Sequence, residues 1–374
     1  MNNIIYLDNA ATTKPDDALF KLSEKYAEDS FYNPSALYSQ GRKVSQDIAE
    51  FKNVLLGKNR FRKVILTSCG SESDNTAIFG FAKRGNAVTT SGEHSAVYNP
   101  FMKIKERGVE VRFAKLLDGG KVDVDDLISK IDEKTCFCSV VHVNNETGAI
   151  NPINEIAEAV KKKSPKCIFH SDGVQAFGKL DYILGDCVDL YSVSAHKIGA
   201  LKGTGALICK DNLNVPALIL GGGQEGGVRS GTENTFGLKF FAEVYKDKLS
   251  NVQLNYEKVE VLKKAVCDGI DKNLFKVLSP SDGSPYIVTL SAIGLRGAVL
   301  QNMLDDDGIL VGTGSACSSK KPYSRILSSY IKDGDILNGV VRLSFEPDTK
   351  LEDVKYAVER LNYNALKLSE KIRI

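Results

Sequence analysis

Short apolar runs alternate with amphipathic stretches from about residue 63 to residue 210. A run of four to eight apolar residues is typical of a buried strand, and a longer stretch with a period near 3.6 is typical of a helix. The strands and helices that this pattern predicts are, in order, 63–67, 72–83, 87–90, 96–107, 109–114, 125–131, 135–143, 152–163 and 167–170. Such alternation predicts a doubly wound α/β sheet.

The pattern changes after the glycines at 221–223. A long polar helical stretch over about 240–272 leads to further predicted elements, which are a strand at 286–290, a helix at 297–304, a strand at 340–345 and a final helix from Leu351. This order predicts a smaller α+β domain attached through a long connecting helix. We expect a large domain over 14–250 and a small domain formed by 1–13 together with 251–374.

Composition narrows the class of protein. The 374 residues favour two domains, and the 49 basic against 47 acidic residues give a net charge of +2, which favours neither nucleic acid nor an anionic membrane as a partner. The start lacks a secretory pattern and no apolar run has the length of a membrane span, so a soluble cytoplasmic protein is expected. Eight scattered cysteines predict reduced thiols, and their spacing predicts no metal site.

The segment 188–197, Val-Asp-Leu-Tyr-Ser-Val-Ser-Ala-His-Lys, ends a strand-like run in a lysine. Desolvation of a lysine at such a place lowers its pKa and makes the amine a nucleophile of the kind that a Schiff-base enzyme needs. The alternative is that the strand stops at Ser194 and that Lys197 is a solvated loop residue. On this segment alone both interpretations stay open.

Two further segments are compatible with a phosphate-bearing ligand. Residues 67–75 join a predicted strand to a predicted helix through small residues, so that backbone N–H groups could face an anion, although an ordinary capped turn is the alternative. Asp172 follows another predicted strand, at the edge where open α/β sheets bind ligands. An acid for a pyridinium nitrogen, an imine-forming Lys197 and a phosphate site are what pyridoxal phosphate requires, and together they favour that cofactor.

The four histidines, His94, His142, His170 and His196, all follow predicted strands or lie near their ends. A histidine at such a place is usually a core residue with satisfied hydrogen bonds, and this interpretation is favoured for His142 and open for His170. His94 could stack on a pyridine ring, and His196 could donate to a phosphate.

Cys317 and Arg342 are further candidates for chemistry. Cys317 stands among small residues with two lysines just after it, an electropositive setting that favours the thiolate. A buried structural thiol, the alternative, suits the other seven cysteines better because no apolar periodicity surrounds position 317. Arg342 lies in an apolar run, where a half-buried guanidinium needs a carboxylate partner from an internal Asp or Glu or from an amino-acid substrate.

With these residues the chain resembles the cysteine desulfurases, the class V aminotransferase branch of the fold-type I pyridoxal-phosphate enzymes. The resemblance covers nearly the whole chain and implies their fold, a large doubly wound α/β domain with a smaller α+β domain. The motifs that carry it begin at Tyr6 (Tyr-Leu-Asp-Asn-Ala-Ala-Thr-Thr), Asn33 (Asn-Pro-Ser), Thr67 (Thr-Ser-Cys-Gly-Ser-Glu-Ser), Glu93 (Glu-His-Ser-Ala), Val143 (Val-Asn-Asn-Glu-Thr-Gly), His170 (His-Ser-Asp-Gly-Val-Gln), Ser194 (Ser-Ala-His-Lys), Gly221 (Gly-Gly-Gly-Gln-Glu), Arg229 (Arg-Ser-Gly-Thr-Glu-Asn), Gly314 (Gly-Ser-Ala-Cys) and Arg342 (Arg-Leu-Ser).

The resemblance implies how pyridoxal phosphate would be held. Lys197 would bind it as an imine, Asp172 would keep the pyridine nitrogen protonated and Gln175 would reach the ring hydroxyl. His94 would stack on the ring, and Asn145 would lie beside it. The implied phosphate ligands are Gly70, Ser71, Ser194, His196 and, from a neighbouring subunit, Thr232. The last of these implies a homodimer with shared active sites.

The resemblance also implies the reaction. Arg342 would take the carboxylate of L-cysteine, which would displace Lys197, and Cys317 would attack the substrate sulfur, leaving alanine and a persulfide. The catalytic residues would be Lys197, Cys317 and His94, and the persulfide would serve a sulfur acceptor or an iron–sulfur scaffold protein. The alternatives are a selenocysteine lyase, a class V transaminase, which would have no use for the Cys317 thiol, and an inactive scaffold paralogue, against which the intact Lys197, Asp172 and Cys317 argue.

Several positions depart from the family's usual pattern. Tyr38 stands where a histidine is common, Gly173 replaces an alanine, and the segment 197–203 lacks the usual proline and aromatic residue. Phe345 and Glu346 replace Leu-Gly, which places an acid near the expected site for the substrate carboxylate. The segment that follows Cys317 is also shorter than in the long-loop members.

Overall fold

The computed structural model describes residues 4–313 and 323–372. The strands in these ranges are β1 (Ile5–Leu7), β2 (Arg62–Thr67), β3 (Asn86–Thr90), β4 (Glu110–Ala114), β5 (Thr135–Ser139), β6 (Ile168–Asp172), β7 (Leu190–Ser194), β8 (Gly205–Lys210), β9 (Phe275–Val277), β10 (Ile287–Ala292), β11 (Ile309–Val311) and β12 (Val340–Ser344). The helices are α1 (Ala18–Asp29), α2 (Ser39–Leu56), α3 (Gly70–Phe81), α4 (Ser95–Glu106), α5 (Val124–Ser129), α6 (Ile153–Lys163), α7 (Thr235–Ser250), α8 (Val252–Gly269), α9 (Gly297–Asp306), α10 (Arg325–Tyr330), α11 (Gly334–Asn338) and α12 (Leu351–Ile372). None of these helices has both the length and the apolar character needed to cross a membrane.

A seven-stranded sheet with the order β2-β8-β7-β6-β5-β3-β4 forms the centre of the fold. All of its strands run in one direction except β8, which is antiparallel to both of its neighbours. Val64 and Leu66 pack into one hydrophobic cluster and Ile65 into another, because successive side chains of a strand point to opposite faces. The sheet is therefore covered on both faces, which confirms the predicted doubly wound α/β fold.

A second, smaller sheet has the antiparallel order β12-β10-β9, and β1 pairs in parallel with β11 beside it. Single bridges, Asp8 to Ser344 and Gly312 to Arg342, join the two pieces. A separate hydrophobic cluster runs from Ile5 to Ala10 and then from Val259 to Ala365. These residues fall within the ranges expected for the small domain, and the domain boundaries themselves stay a prediction.

The prediction of one long helix over 240–272 is wrong, because the chain forms two helices there, α7 and α8, which meet at Asn251. The Asn251 side chain donates to the backbone oxygen of Asp247 at 3.1 Å and to its carboxylate at 3.0 Å. An asparagine that bonds the preceding turn in this way competes with the regular helical hydrogen bonds. Hydrophobic periodicity continues across such a break, and for that reason the sequence pattern did not reveal it.

The glycine at position 173 is explained by a close approach of Tyr191. A Cβ atom on Gly173 would lie 1.9 Å from Cζ of the fully buried Tyr191 ring. Tyr191 stands in β7 beside β6, and its hydroxyl lies 2.9 Å from His142 Nδ1. The space that an alanine methyl would occupy is thus filled by the tyrosine, so the identities of residues 173 and 191 depend on each other.

We expect Gly173→Ala to lower the free energy of unfolding by roughly 1–3 kcal/mol, because the new methyl overpacks a core that cannot yield without moving Tyr191. Chemical denaturation of the parent and the variant measures this difference in the free energy of unfolding. The double variant Gly173→Ala/Tyr191→Leu is expected to be more stable than the sum of its two single effects, because the shorter side chain makes room for the methyl.

The control for this prediction is Gly334→Ala, whose Cβ would meet, among the described residues, only Tyr323 Oη at 3.7 Å. We expect it to change the free energy of unfolding by no more than about 0.5 kcal/mol. Equal effects of the two alanine substitutions would show that Tyr191 does not constrain residue 173.

Candidate active site

A cavity of about 330 Å³ lies at the carboxyl ends of the central strands, where the small sheet meets them. The loops after β2, β3, β5, β6 and β7 supply one wall, and residues near β1, β11 and β12 supply the other. Ten of the residues predicted for the site line this one cavity, namely Gly70, Ser71, His94, Asn145, Asp172, Gln175, Ser194, His196, Lys197 and Arg342. The structure thus brings together residues from both ends of the chain, as an open α/β sheet requires at its ligand-binding edge.

Lys197 stands in a short 3₁₀ turn directly after β7 and lines the cavity, so it is not a solvated loop residue. Its ammonium nitrogen donates to the backbone oxygens of Ala10 at 2.6 Å and Ala11 at 2.7 Å. Burial, together with the positive charges of Lys179 and Arg342, lowers the pKa of Lys197 to about 7. A large fraction of the amine is therefore neutral and nucleophilic at neutral pH.

Asp172 ends β6 and brings a carboxylate to the same cavity. One of its oxygens accepts a hydrogen bond from the backbone N–H of Val174 at 3.0 Å. Burial raises the pKa of Asp172, and the nearby His94 and Lys197 act against that rise. A buried carboxylate in this position is suited to a cationic partner such as a protonated pyridine nitrogen.

Several buried polar atoms of the cavity wall have no hydrogen-bond partner among the described residues. They are Oδ1 of Asn145, Oε1 of Gln175, Oγ of Ser194 and Nε of Arg342. Buried polar groups in proteins are almost always paired, so this cluster indicates a polar ligand. Gly70 and Ser71 begin α3, whose N-terminal backbone N–H groups can hold the anionic part of such a ligand.

His94 and His196 both line the cavity, and each has a different hydrogen-bond partner. His94 precedes α4, and its Nδ1 accepts from the backbone N–H of Ala96 at 3.1 Å, which leaves Nε2 to carry the proton of the neutral ring. Burial lowers the pKa of His94. His196 Nδ1 lies 3.1 Å from Thr12 Oγ1, and burial lowers the pKa of His196 to about 4. Both rings are therefore neutral at pH 7.

The other two histidines are core residues. His142 pairs with Tyr191, and burial lowers the pKa of His142 to about 3. His170 lies 2.8 Å from Ser139 Oγ and 2.9 Å from Ser192 Oγ, and burial lowers its pKa to about 3 as well. Neither histidine lines the cavity. The prediction that His142 is a core residue is thus correct. His170, for which the sequence left the role open, is a core residue as well.

Arg342 has an internal carboxylate partner, one of the two options that the sequence left open. Its Nη2 donates to Asp8 Oδ1 at 2.7 Å, and its Nη1 donates to the backbone oxygen of Asn145 at 2.8 Å. Glu346, expected near this site, does not line the cavity. It lies 2.9 Å from Lys248 and 3.8 Å from Lys179, so its charge is balanced by two lysines.

Two of the predicted site residues are not part of this geometry. Thr232 is exposed and does not line the cavity of its own chain. Cys317 lies outside the described residues.

Sequence reasoning missed four acidic residues near the site, namely Asp8, Asp74, Glu93 and Glu146. All except Glu93 line the cavity. Burial raises the pKa of Glu93 to about 8, although it accepts from Thr90 and from the backbone N–H of Val141. Each of the four lies in a sequence segment that was quoted above for another residue. This closeness in sequence to predicted site residues was the signal that could have identified them.

The chain matches a family model described as Aminotransferase class-V over residues 5–357. A protein named Cysteine desulfurase IscS, from Clostridium botulinum, is 36% identical over 381 residues, which cover 96% of this chain and 94% of the relative. A solved structure titled NIFS-LIKE PROTEIN superimposes with a TM-score of 0.90 at 29% identity, covering 98% of this chain and 100% of that one. Another, titled SspA in complex with cysteine, has a TM-score of 0.79 at 25% identity, covering 92% and 99%.

These matches span nearly the full length of the chain. They also confirm the predicted fold-type I architecture. The chain belongs to the class-V aminotransferase family and, within it, to the cysteine desulfurases.

Proposed function

We propose that this cysteine desulfurase uses pyridoxal phosphate to convert L-cysteine to L-alanine and transfers the sulfur to Cys317 as a persulfide. The observation that carries the proposal is the Lys197 amine, with its pKa lowered to about 7, in one cavity with the Asp172 carboxylate and the Arg342 guanidinium. The solved relative described as a complex with cysteine supports the substrate.

The residues present fit the proposed cofactor. Its phosphate would lie at the N-terminus of α3 against Gly70 and Ser71, where Ser194 Oγ has no partner among the described residues. Asp172 would hold the protonated pyridine nitrogen, and the unpaired amide oxygen of Gln175 would accept from the ring hydroxyl. When bound, pyridoxal phosphate supplies an aldehyde that condenses with amines and a pyridine ring that withdraws electrons from the substrate.

The chain's own groups then account for the remaining steps. Arg342 binds the substrate carboxylate, and Lys197, once the substrate amine has displaced it, exchanges a proton with Cα because its pKa lies near the working pH. The Cys317 thiolate attacks the substrate sulfur, so that an S–S bond forms as the Cβ–S bond breaks. Cβ keeps the bonding electron pair and takes up a proton, which gives alanine.

A homodimer is part of the proposal, with Thr232 completing the phosphate site of the partner subunit. It is supported by the exposure of Thr232 away from its own cavity and by Leu220, an 84% exposed apolar side chain on the same long loop. We also propose a cytoplasmic location and an iron–sulfur scaffold or another thiol acceptor for the persulfide. The seven cysteines in the described ranges are all unpaired, which supports a reducing compartment.

Purified holoenzyme incubated with L-cysteine and a thiol reductant is expected to release sulfide and alanine in equal amounts. Lys197→Ala should abolish both products, because Lys197 is the one lysine among the described residues that line the cavity. Release of neither product by the cofactor-loaded parent would overturn the proposal. Selenide released from L-selenocysteine alone, or a keto acid formed without sulfide, would favour a lyase or a transaminase instead.

Cys317→Ala is expected to keep the visible absorption of the bound cofactor while sulfide release falls by roughly a hundredfold or more, because the sulfur has lost its acceptor. The matched control is Cys267→Ala on α8, a partly buried thiol away from the cavity, which should release sulfide at the parental rate. Sulfide production by the Cys317 variant at the parental rate would show that another nucleophile takes the sulfur.

Cofactor uptake should report the state of the Lys197 amine. Only the neutral amine attacks the aldehyde, so the rate of uptake by apoprotein is expected to rise with pH through a midpoint of about 7, the lowered pKa of Lys197, rather than near the ordinary lysine value. Lys179→Met removes a positive charge that lowers this pKa, and the midpoint should move upward. Lys264→Met, on an exposed surface pair, is the control expected to leave it in place. A midpoint that does not respond to Lys179→Met would show that the charge of Lys179 does not help to set the pKa of Lys197.

A further inference from the structure

The ion pair between Asp8 and Arg342 is not explained by the proposed cofactor contacts. It joins residues 334 positions apart in the sequence, at 2.7 Å between Asp8 Oδ1 and Arg342 Nη2. Arg342 is nearly buried, with 11% of its side chain exposed, and Asp8 has 24% exposed. Both side chains line the cavity, so the pair belongs to the wall that faces the substrate.

Asp8 is held in place by the backbone around it. The segment after β1 runs along β12, with a bridge from Asp8 to Ser344 and a hydrogen bond of 2.8 Å from the Ala10 N–H to Ser344 Oγ. The Asn9 side chain donates to the Ser344 backbone oxygen at 2.9 Å. Ser344 is two residues from Arg342 in the same strand, so the carboxylate and the guanidinium are fixed by one set of backbone contacts.

The pair also requires the glycine at position 312, which bridges to Arg342 through two backbone hydrogen bonds. A Cβ atom there would lie 2.6 Å from Asp8 Oδ1 and 2.9 Å from Arg342 Nη2. A larger residue at position 312 would thus displace the two charged side chains from their present contact. This close approach leaves the guanidinium little freedom to turn.

The three guanidinium nitrogens of Arg342 differ in their hydrogen bonds. Nη2 donates to Asp8 and Nη1 to the Asn145 backbone oxygen, whereas Nε is buried and has no partner among the described residues. A guanidinium that is held at both terminal nitrogens has a fixed plane, and its remaining N–H groups point in set directions. A buried donor without a partner is costly, and Nε has none in the part of the chain that the structure describes.

We propose that Asp8 is a positioning residue, which holds the Arg342 guanidinium so that its free N–H groups meet the carboxylate of the amino-acid substrate. The inference rests on the proposed function, in which Arg342 binds that carboxylate. Asp8 acts through the orientation of Arg342 rather than through its own charge, because a second anion beside the guanidinium would by itself weaken the binding of a carboxylate.

The test compares Asp8→Ala and Asp8→Asn in the holoenzyme with L-cysteine and with cysteamine, which has the amine and thiol but no carboxylate. Asp8→Ala frees the guanidinium, and we expect KM for L-cysteine and the Kd for L-alanine, read from the cofactor absorption, to rise roughly ten- to a hundredfold. The kcat for L-cysteine and the binding of cysteamine should change little. Asp8→Asn keeps an acceptor oxygen for Nη2 and is expected to restore most of the affinity.

The control is Asp307→Asn, which alters a two-bond pair of 2.9 Å with Arg360 in the small domain and should leave all these constants unchanged. Asp8 raises the pKa of Lys197, whereas Lys179 and Arg342 lower it. The values of KM and Kd are therefore compared at the plateau of each variant's pH profile. Gly312→Ala offers a second route, since its methyl displaces both charged groups and should raise KM for L-cysteine without changing the binding of cysteamine.

Tighter binding of L-cysteine by Asp8→Ala would overturn the inference, because it would show that Asp8 competes with the substrate carboxylate. Unchanged L-alanine affinity in Asp8→Ala would overturn it too, as would equal losses in Asp8→Ala and Asp8→Asn, which would assign the effect to charge. The absorption measurement of L-alanine binding separates this result from a failure of the proposed desulfuration, which would appear as absent sulfide with intact binding of the amino acid.

Discussion

Removal of the Lys197 amine from water is the constraint on which the site depends. A buried lysine must either donate to strong acceptors or lose its proton. Lys197 donates to two backbone oxygens, and its pKa is also lowered to about 7. The acceptors come from Ala10 and Ala11, near the start of the chain. The nucleophile of the large sheet is therefore completed by a segment that belongs to the core of the small one.

That segment, residues 8–13, is one physical link between the two sheets. Within it the Ala10 oxygen accepts from both Lys197 and the Gln175 amide, and the Thr13 hydroxyl donates to the His196 backbone oxygen. Asp8 at its start pairs with Arg342. One short turn thus holds groups on both sides of the cavity, so a shift of the small sheet against the large one would move the nucleophile and the carboxylate-binding arginine together.

The sequence allowed much of the large domain to be predicted because its strands and helices are short, regular and separated by clear boundaries. It also placed Lys197, Asp172 and the turn at Gly70 in one cavity, since each follows a strand of a parallel sheet. The reversed direction of β8 and the break at Asn251 were not predictable, because neither changes the apolar pattern. The partner of Arg342 was not predictable either, because an ion pair across 334 residues depends on tertiary placement that periodicity does not encode.

The contact between position 173 and the Tyr191 ring also constrains how this part of the chain can be altered. With alanine at 173, a tyrosine at 191 has no room, whereas glycine at 173 beside a smaller residue leaves only a gap of methyl size. A chain in which both residues are exchanged one at a time therefore meets less strain when glycine comes first and tyrosine follows. Because Tyr191 fills that space and pairs with His142, the backbone beside the Asp172 carboxylate is coupled to the packing of the core beneath it.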